Sequence, residues 1–118
     1  MTKIAVLSDI HGNTGALEAV LTDAEKAGVE EYWLLGDILM PGTGRKSILR
    51  RLEELPITVR VLGNWEESLW RAAHRKLDTS RPSHRYLLRQ CQYIMEEISL
   101  DDIEALQAFP MHTHRQFG

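Results

Sequence analysis

The stretch Ile4-Ala5-Val6-Leu7-Ser8-Asp9-Ile10-His11-Gly12-Asn13 decides the fold. It opens on a short continuous apolar run and breaks into a polar turn. That pattern suits a buried strand of a parallel sheet, whose faces are both covered. From Thr14 the spacing turns helical, with Leu17, Val20, Leu21 and Ala24 on one side. Asn13 or Thr14 is placed to cap this helix, and Gly28 closes it.

Working outward, the same alternation repeats. Tyr32-Trp33-Leu34-Leu35 reads as a second strand, ending in Gly36-Asp37. Asp37 to Gly44 carries Pro41, Gly42 and Gly44 and reads as a loop. A helix follows with Ile48, Leu49, Leu52 and Leu55 on its apolar face, and Pro56 ends it. Thr58-Val59-Arg60-Val61-Leu62 is the third strand, ending in Gly63-Asn64. The pattern predicts an α/β fold, β-α-β-α-β, with loops short enough for right-handed crossovers. Three helices are then expected: Glu66 to Lys76, Pro82 to Ile98, and one opened by a Ser99–Asp102 capping box that stops before Pro110. Tyr86, Leu87, Gln90, Tyr93, Ile94 and Ile98 share one side of the middle helix, which predicts Tyr86 and Tyr93 as core residues. His112-Thr113-His114, in the tail, reads as the start of a further strand rather than as a metal site.

A chain of 118 residues forms one domain, 1–118. Its formal net charge of −3 argues against general nucleic-acid binding through a basic surface. An anionic substrate would need local positive charge, from metal ions or clustered Arg. Cys91 is the only cysteine, so no internal disulfide forms, and it reads as a small apolar filler. The apolar start is too short for a signal peptide or a membrane span, which predicts a cytoplasmic protein with no membrane partner. Arg71, Arg75, Lys76, Arg81, Arg85 and Arg89 read as a solvated helix face, with a polyphosphate-holding lid as the alternative. Gly42-Thr43-Gly44-Arg45-Lys46-Ser47 fails the P-loop spacing, because Arg45 separates Gly44 from Lys46. Arg45 remains a candidate phosphate ligand, since its loop leaves the same strand end as Asp37.

In open parallel sheets, ligands bind outside the carboxyl ends of strands. Asp9 and His11, Asp37 and Asn64 all stand there. Asp37 offers two oxygens, enough to bridge two cations, and Asn64 a neutral carbonyl oxygen. A mixed carboxylate, imidazole and amide set suits manganese, iron or zinc. Two such ions, roughly 3.5–4 Å apart, hold a hydroxide nucleophile and clamp a phosphoryl group.

Asp9-x-His11, Gly36-Asp37 and Gly63-Asn64 resemble, in order, the first three motifs of the calcineurin-like metallophosphoesterases: D-x-H, G-D and G-N-H-D/E. Leu7-Ser8-Asp9-Ile10-His11-Gly12-Asn13 is similar to the bacterial and archaeal phosphodiesterase branch. The resemblance implies the first half of the metallophosphoesterase sandwich. It implies Asp9 and His11 on a first divalent ion, Asp37 bridging, and Asn64 on a second, with Asp37 and Asn64 in the catalytic set. Glu66 falls where the family carries an acidic residue. The family's lone His and its G-H-x-H motif are expected beyond Gly118.

Trp65 stands where most of the family carries a His. An indole donates one hydrogen bond and does no acid–base work near neutral pH. Loss of a general acid costs ~10²–10⁴-fold in rate, less where the leaving group is already good. The expected substrate is therefore a phosphorylated small molecule or nucleotide, cleaved at a phosphodiester or phosphoanhydride bond. Nucleotide polyphosphates and dinucleoside polyphosphates are the natural candidates. Trp65 or Trp70 is a candidate to stack on the base; otherwise Trp65 packs beneath its loop. The alternative reading is a catalytically inactive fragment or interaction module. Either way, apolar surface left uncovered predicts self-association.

Overall fold

The computed structural model describes residues 1–115. Three strands, β1 (Ile4–Leu7), β2 (Glu31–Leu34) and β3 (Ile57–Arg60), form one parallel sheet in the order β1-β2-β3. The helices α1 (Thr14–Lys26) and α2 (Lys46–Glu53) connect them, and α3 (Asn64–Ala73), α4 (Pro82–Met95) and α5 (Leu100–Gln107) follow. The α/β architecture and the order of elements are as the sequence predicts.

Alternation along β2 sorts its side chains. Tyr32 and Leu34 are buried and enter the core with Leu17 and Leu21 of α1, Ile48 and Leu52 of α2, Leu69 of α3, Ile94 of α4 and Ile103 of α5. Cys91 is fully buried there, its Sγ 3.6 Å from Met40 Sδ, and burial pushes its thiol up to about 12. It is a filler, as expected.

Trp33 points the other way, in register with Val6 of β1 and Val59 of β3. With Leu35 and Val61 this row is lined by residues 111–115 of the tail. The tail is pinned at Arg115, whose guanidinium donates to Glu31 Oε2 at 2.9 Å. The Thr58 hydroxyl also donates to Glu31, and together they hold this buried carboxyl below its ordinary value. Residues 111–115 run without strand pairing, so the further strand expected at His112–His114 does not form.

Other boundaries shift for local reasons. The β3 ladder closes at Arg60, and Leu62 N–H turns to the Pro110 carbonyl at 2.8 Å. Helix α3 starts earlier, at Asn64, and ends at Ala73, because Arg75 adopts a left-handed backbone (φ 56°). Helix α4 ends at Met95 rather than Ile98. The expected burial of Tyr86 and Tyr93 is overturned: they are 66% and 38% exposed. Cys91 and Ile94 are the α4 residues that face the core.

Candidate metal centre

The loops after β1 and β2 are zipped together past the ends of their strands. His11 N–H donates to the Asp37 carbonyl at 2.9 Å, and Gly12 N–H to Ile38 at 2.8 Å. The backbone contorts to do so. Asp9, His11 and Asp37 all have left-handed φ, at 56°, 49° and 55°. Asp and His tolerate that region better than most residues, yet each such position costs of order 1–3 kcal/mol and persists only where its surroundings enforce it. The strain falls on the three predicted ligands that come from these two loops.

The side chains converge. One ligand atom each from Asp9, His11 and Asp37 lie within 4.8 Å of one another. His11 Nε2 is 3.1 Å from Asp9 Oδ1, and Nδ1 points at the Met40 carbonyl. A carbonyl only accepts, so Nδ1 carries a proton, and Nε2 is the ring atom turned toward Asp9 and Asp37, free to serve as a metal ligand. This carbonyl–imidazole pairing orients metal-binding histidines in general. The Ser8 hydroxyl donates to Asp9 Oδ2 at 2.6 Å and holds the Asp9 carboxyl below its ordinary value, with His11 adding to the effect.

The third strand end locks onto Asp37. Trp65 N–H, in the first turn of α3, donates to Asp37 Oδ1 at 3.0 Å, a favourable place for an anion. The Asn64 carboxamide stands 3.1 and 3.2 Å from the two Asp37 oxygens. With its nitrogen inward it donates to both. With its oxygen inward, three acceptors meet, and a cation between them relieves the repulsion. The donor set therefore fits a divalent ion.

Two further features tighten this corner. A Cβ on Gly63 would lie 2.2 Å from Asp37 Oδ1, so only glycine admits the carboxylate. Glu66, 6% exposed, takes the Asp37 and Gly63 N–H groups on Oε2 at 2.9 and 3.0 Å and the Ile38 N–H on Oε1 at 2.7 Å. One buried carboxylate thus staples the second strand end to the third. The Glu66 staple and the Met40 carbonyl are site parts that the residue types alone did not disclose. An acidic residue two past Asn64, at the third turn position of a helix, was the available signal for the first.

Trp65 meets the His11 ring edge-on, with centroids 6.4 Å apart. Arg45 is engaged elsewhere. Its guanidinium pairs with Glu96 at 3.0 Å and Glu97 at 2.5 Å and lies 4.1 Å over the Tyr93 ring. His112 and His114 join no cluster of three or more metal-ligating side chains among the described residues.

This geometry agrees with what the chain is similar to. The calcineurin-like phosphoesterase superfamily domain matches residues 2–115. The chain belongs to the calcineurin-like phosphoesterase superfamily. A metallophosphoesterase from Sphaerobacter thermophilus superposes with a TM-score of 0.68 at 27% identity, covering 92% of this chain and 41% of that one. An uncharacterized protein of Methanocaldococcus jannaschii, MJ0912, is 39% identical over 63 residues. That match takes in 53% of this chain and 26% of the archaeal protein. The chain thus spans about a quarter of the length of that relative. The superfamily match takes in all three strand ends and the five helices of the described residues.

Proposed function

We propose that this chain contributes Asp9, His11, Asp37 and Asn64 to the metal centre of a phosphoesterase that hydrolyses phosphodiester or phosphoanhydride bonds. The observation that carries the reading is the convergence of Asp9, His11 and Asp37 ligand atoms within 4.8 Å on strained backbones. The Asn64 carboxamide lies beside Asp37, and with its oxygen turned inward it would join Asp37 on a second ion next to the first. Two ions of manganese, iron or zinc would supply Lewis acidity and an activated water. His11, fixed through Met40, keeps Nε2 aimed inward; Asp37 spans the two positions; Ser8 keeps Asp9 ionised.

No imidazole stands at position 65 to protonate a leaving group. The indole beside His11 favours substrates whose leaving group departs without help, such as nucleotides and dinucleoside polyphosphates. Trp65 forms an apolar wall for such a substrate. Arg45 would reach a phosphate only by releasing Glu96 and Glu97, and its part in this reading is to brace the loop. Among the described residues no helix is long and apolar enough to cross a membrane. A buried lone thiol fits the cytoplasm, where we place the protein.

With manganese, the chain is expected to hydrolyse diadenosine tetraphosphate at least tenfold faster than an alkyl phosphomonoester, and Asp37→Asn to abolish both. Equal rates would contradict the leaving-group argument. Absence of manganese-dependent turnover would leave an interaction module. Exposed Val6, Leu35 and Met111 favour self-association. Sedimentation should then show an oligomer that Leu35→Lys shifts toward monomer; a monomeric parent at high concentration removes this part.

A further inference from the structure

Helix α4 carries Tyr86, Arg89, Gln90 and Tyr93 at the spacing that places side chains on one helical stripe. The stripe faces the loop Met40–Thr43 across a cleft of about 330 Å³, at the lower end of the size range of small-molecule sites. Its two exposed aromatic rings are held in place. Gln90 Nε2 donates to the Tyr86 hydroxyl at 3.0 Å. The Tyr93 hydroxyl reaches the Thr43 carbonyl at 3.5 Å, and Arg45 covers one face of the Tyr93 ring. Arg89 lies between the two tyrosines on this stripe and lines the cleft. Its guanidinium makes no ion pair or side-chain hydrogen bond among the described residues.

The cleft also shares a wall with the metal centre. Met40, which lines it, is the residue whose carbonyl holds His11 Nδ1. Gly42 packs so closely on the His11 backbone that a Cβ there would lie 1.7 Å from the His11 carbonyl oxygen. A ligand in the cleft is therefore one loop away from the metal ligands.

We propose that this cleft binds the aromatic end of a nucleotide, with the base stacked on Tyr86 and Arg89 on a phosphate oxygen. A fixed exposed ring costs little ordering on binding, and every nucleobase has a face to stack on it. A free guanidinium recognises phosphate oxygens through paired N–H donors. The proposal rests on the phosphoesterase reading for its substrate class, but the cleft's binding is separable from hydrolysis.

The test is binding without metal. In EDTA, ligand-observed NMR would titrate the full chain with AMP, adenosine and ribose 5-phosphate. AMP should bind more tightly than either of its parts. Tyr86→Ala should weaken AMP and adenosine at least about fivefold, the lower range of base–aromatic stacking. Arg89→Gln should weaken AMP and leave adenosine unchanged. Tyr86 is largely exposed, so its loss does not threaten folding. AMP affinity within twofold of the parent in both variants, or ribose 5-phosphate binding as tightly as AMP, overturns the proposal. Manganese-dependent hydrolysis of inorganic tripolyphosphate, a phosphoanhydride with no aromatic group, is measured on the parent alongside. If it persists while AMP fails to bind, the cleft falls and the phosphoesterase reading stands. If it is absent while AMP binds through Tyr86, the reverse holds.

Discussion

Glu66 shows how much a single side chain supports. Its buried carboxylate takes three backbone N–H groups from the second and third strand ends, Asp37 among them. Truncation leaves those donors without partners, and each buried donor so stranded costs about 1–3 kcal/mol. Glu66→Ala is expected to lose at least about 3 kcal/mol of unfolding free energy in urea; a loss below about 1 kcal/mol would show that the staple is dispensable. At this scale the candidate ligands were legible: Asp9, His11 and Asp37 are chemically distinctive, follow apolar runs, and converge in the structure. The groups that aim them were less so. The Met40 carbonyl is backbone, and any residue supplies one. The partners of Arg45 were hidden for a related reason, because the carboxylates of Glu96 and Glu97 that engage it lie about fifty residues away in sequence. Chain spacing carries no record of such a pairing.

Among the elements, α2 and α5 are tied at their amino-terminal ends. Lys46 Nζ donates to Asp102 Oδ2 at 2.8 Å, and Ser99 caps α5 reciprocally with Asp102. Lys46 first, and then Ser99, hold the Asp102 carboxyl below its ordinary value of 3.8. Folding therefore favours the ionised form. The stability this contributes is complete above the unfolded value and is lost as pH falls through the lower folded one. Urea unfolding should show stability declining below about pH 4, with the decline shallower in Asp102→Asn. An unchanged acid limb in that variant would remove Asp102 from the account. The Ser99–Asp102 cap was readable in sequence because both members sit within one turn. The faces of α4 were not. Apolar and aromatic residues occur on more than one side of this helix, so Tyr86 and Tyr93 could be taken as core, whereas Cys91 and Ile94 claim the buried side. Helix ends moved for similar reasons: the left-handed turn at Arg75 has no marker such as glycine or proline.

For the whole molecule, parallel pairing of three strands brings the three loops to one edge, and the helices brace them from below. That arrangement followed from the repeated change between strand-like and helix-like spacing, so the fold was legible from the chain. The far face of the sheet was not. The tail crosses it without strand pairing, held by the Arg115–Glu31 ion pair over a distance no local pattern encodes. The superfamily assignment and the geometry meet in the claim that this edge is a divalent-metal centre. Isothermal titration of the metal-free chain with Mn²⁺ tests it most directly, beside Asp9→Asn and Asp37→Asn variants checked for folding by circular dichroism. The account predicts saturable binding to the parent and at least tenfold weaker binding to each variant; parent and variants binding Mn²⁺ equally, or not at all, would contradict it.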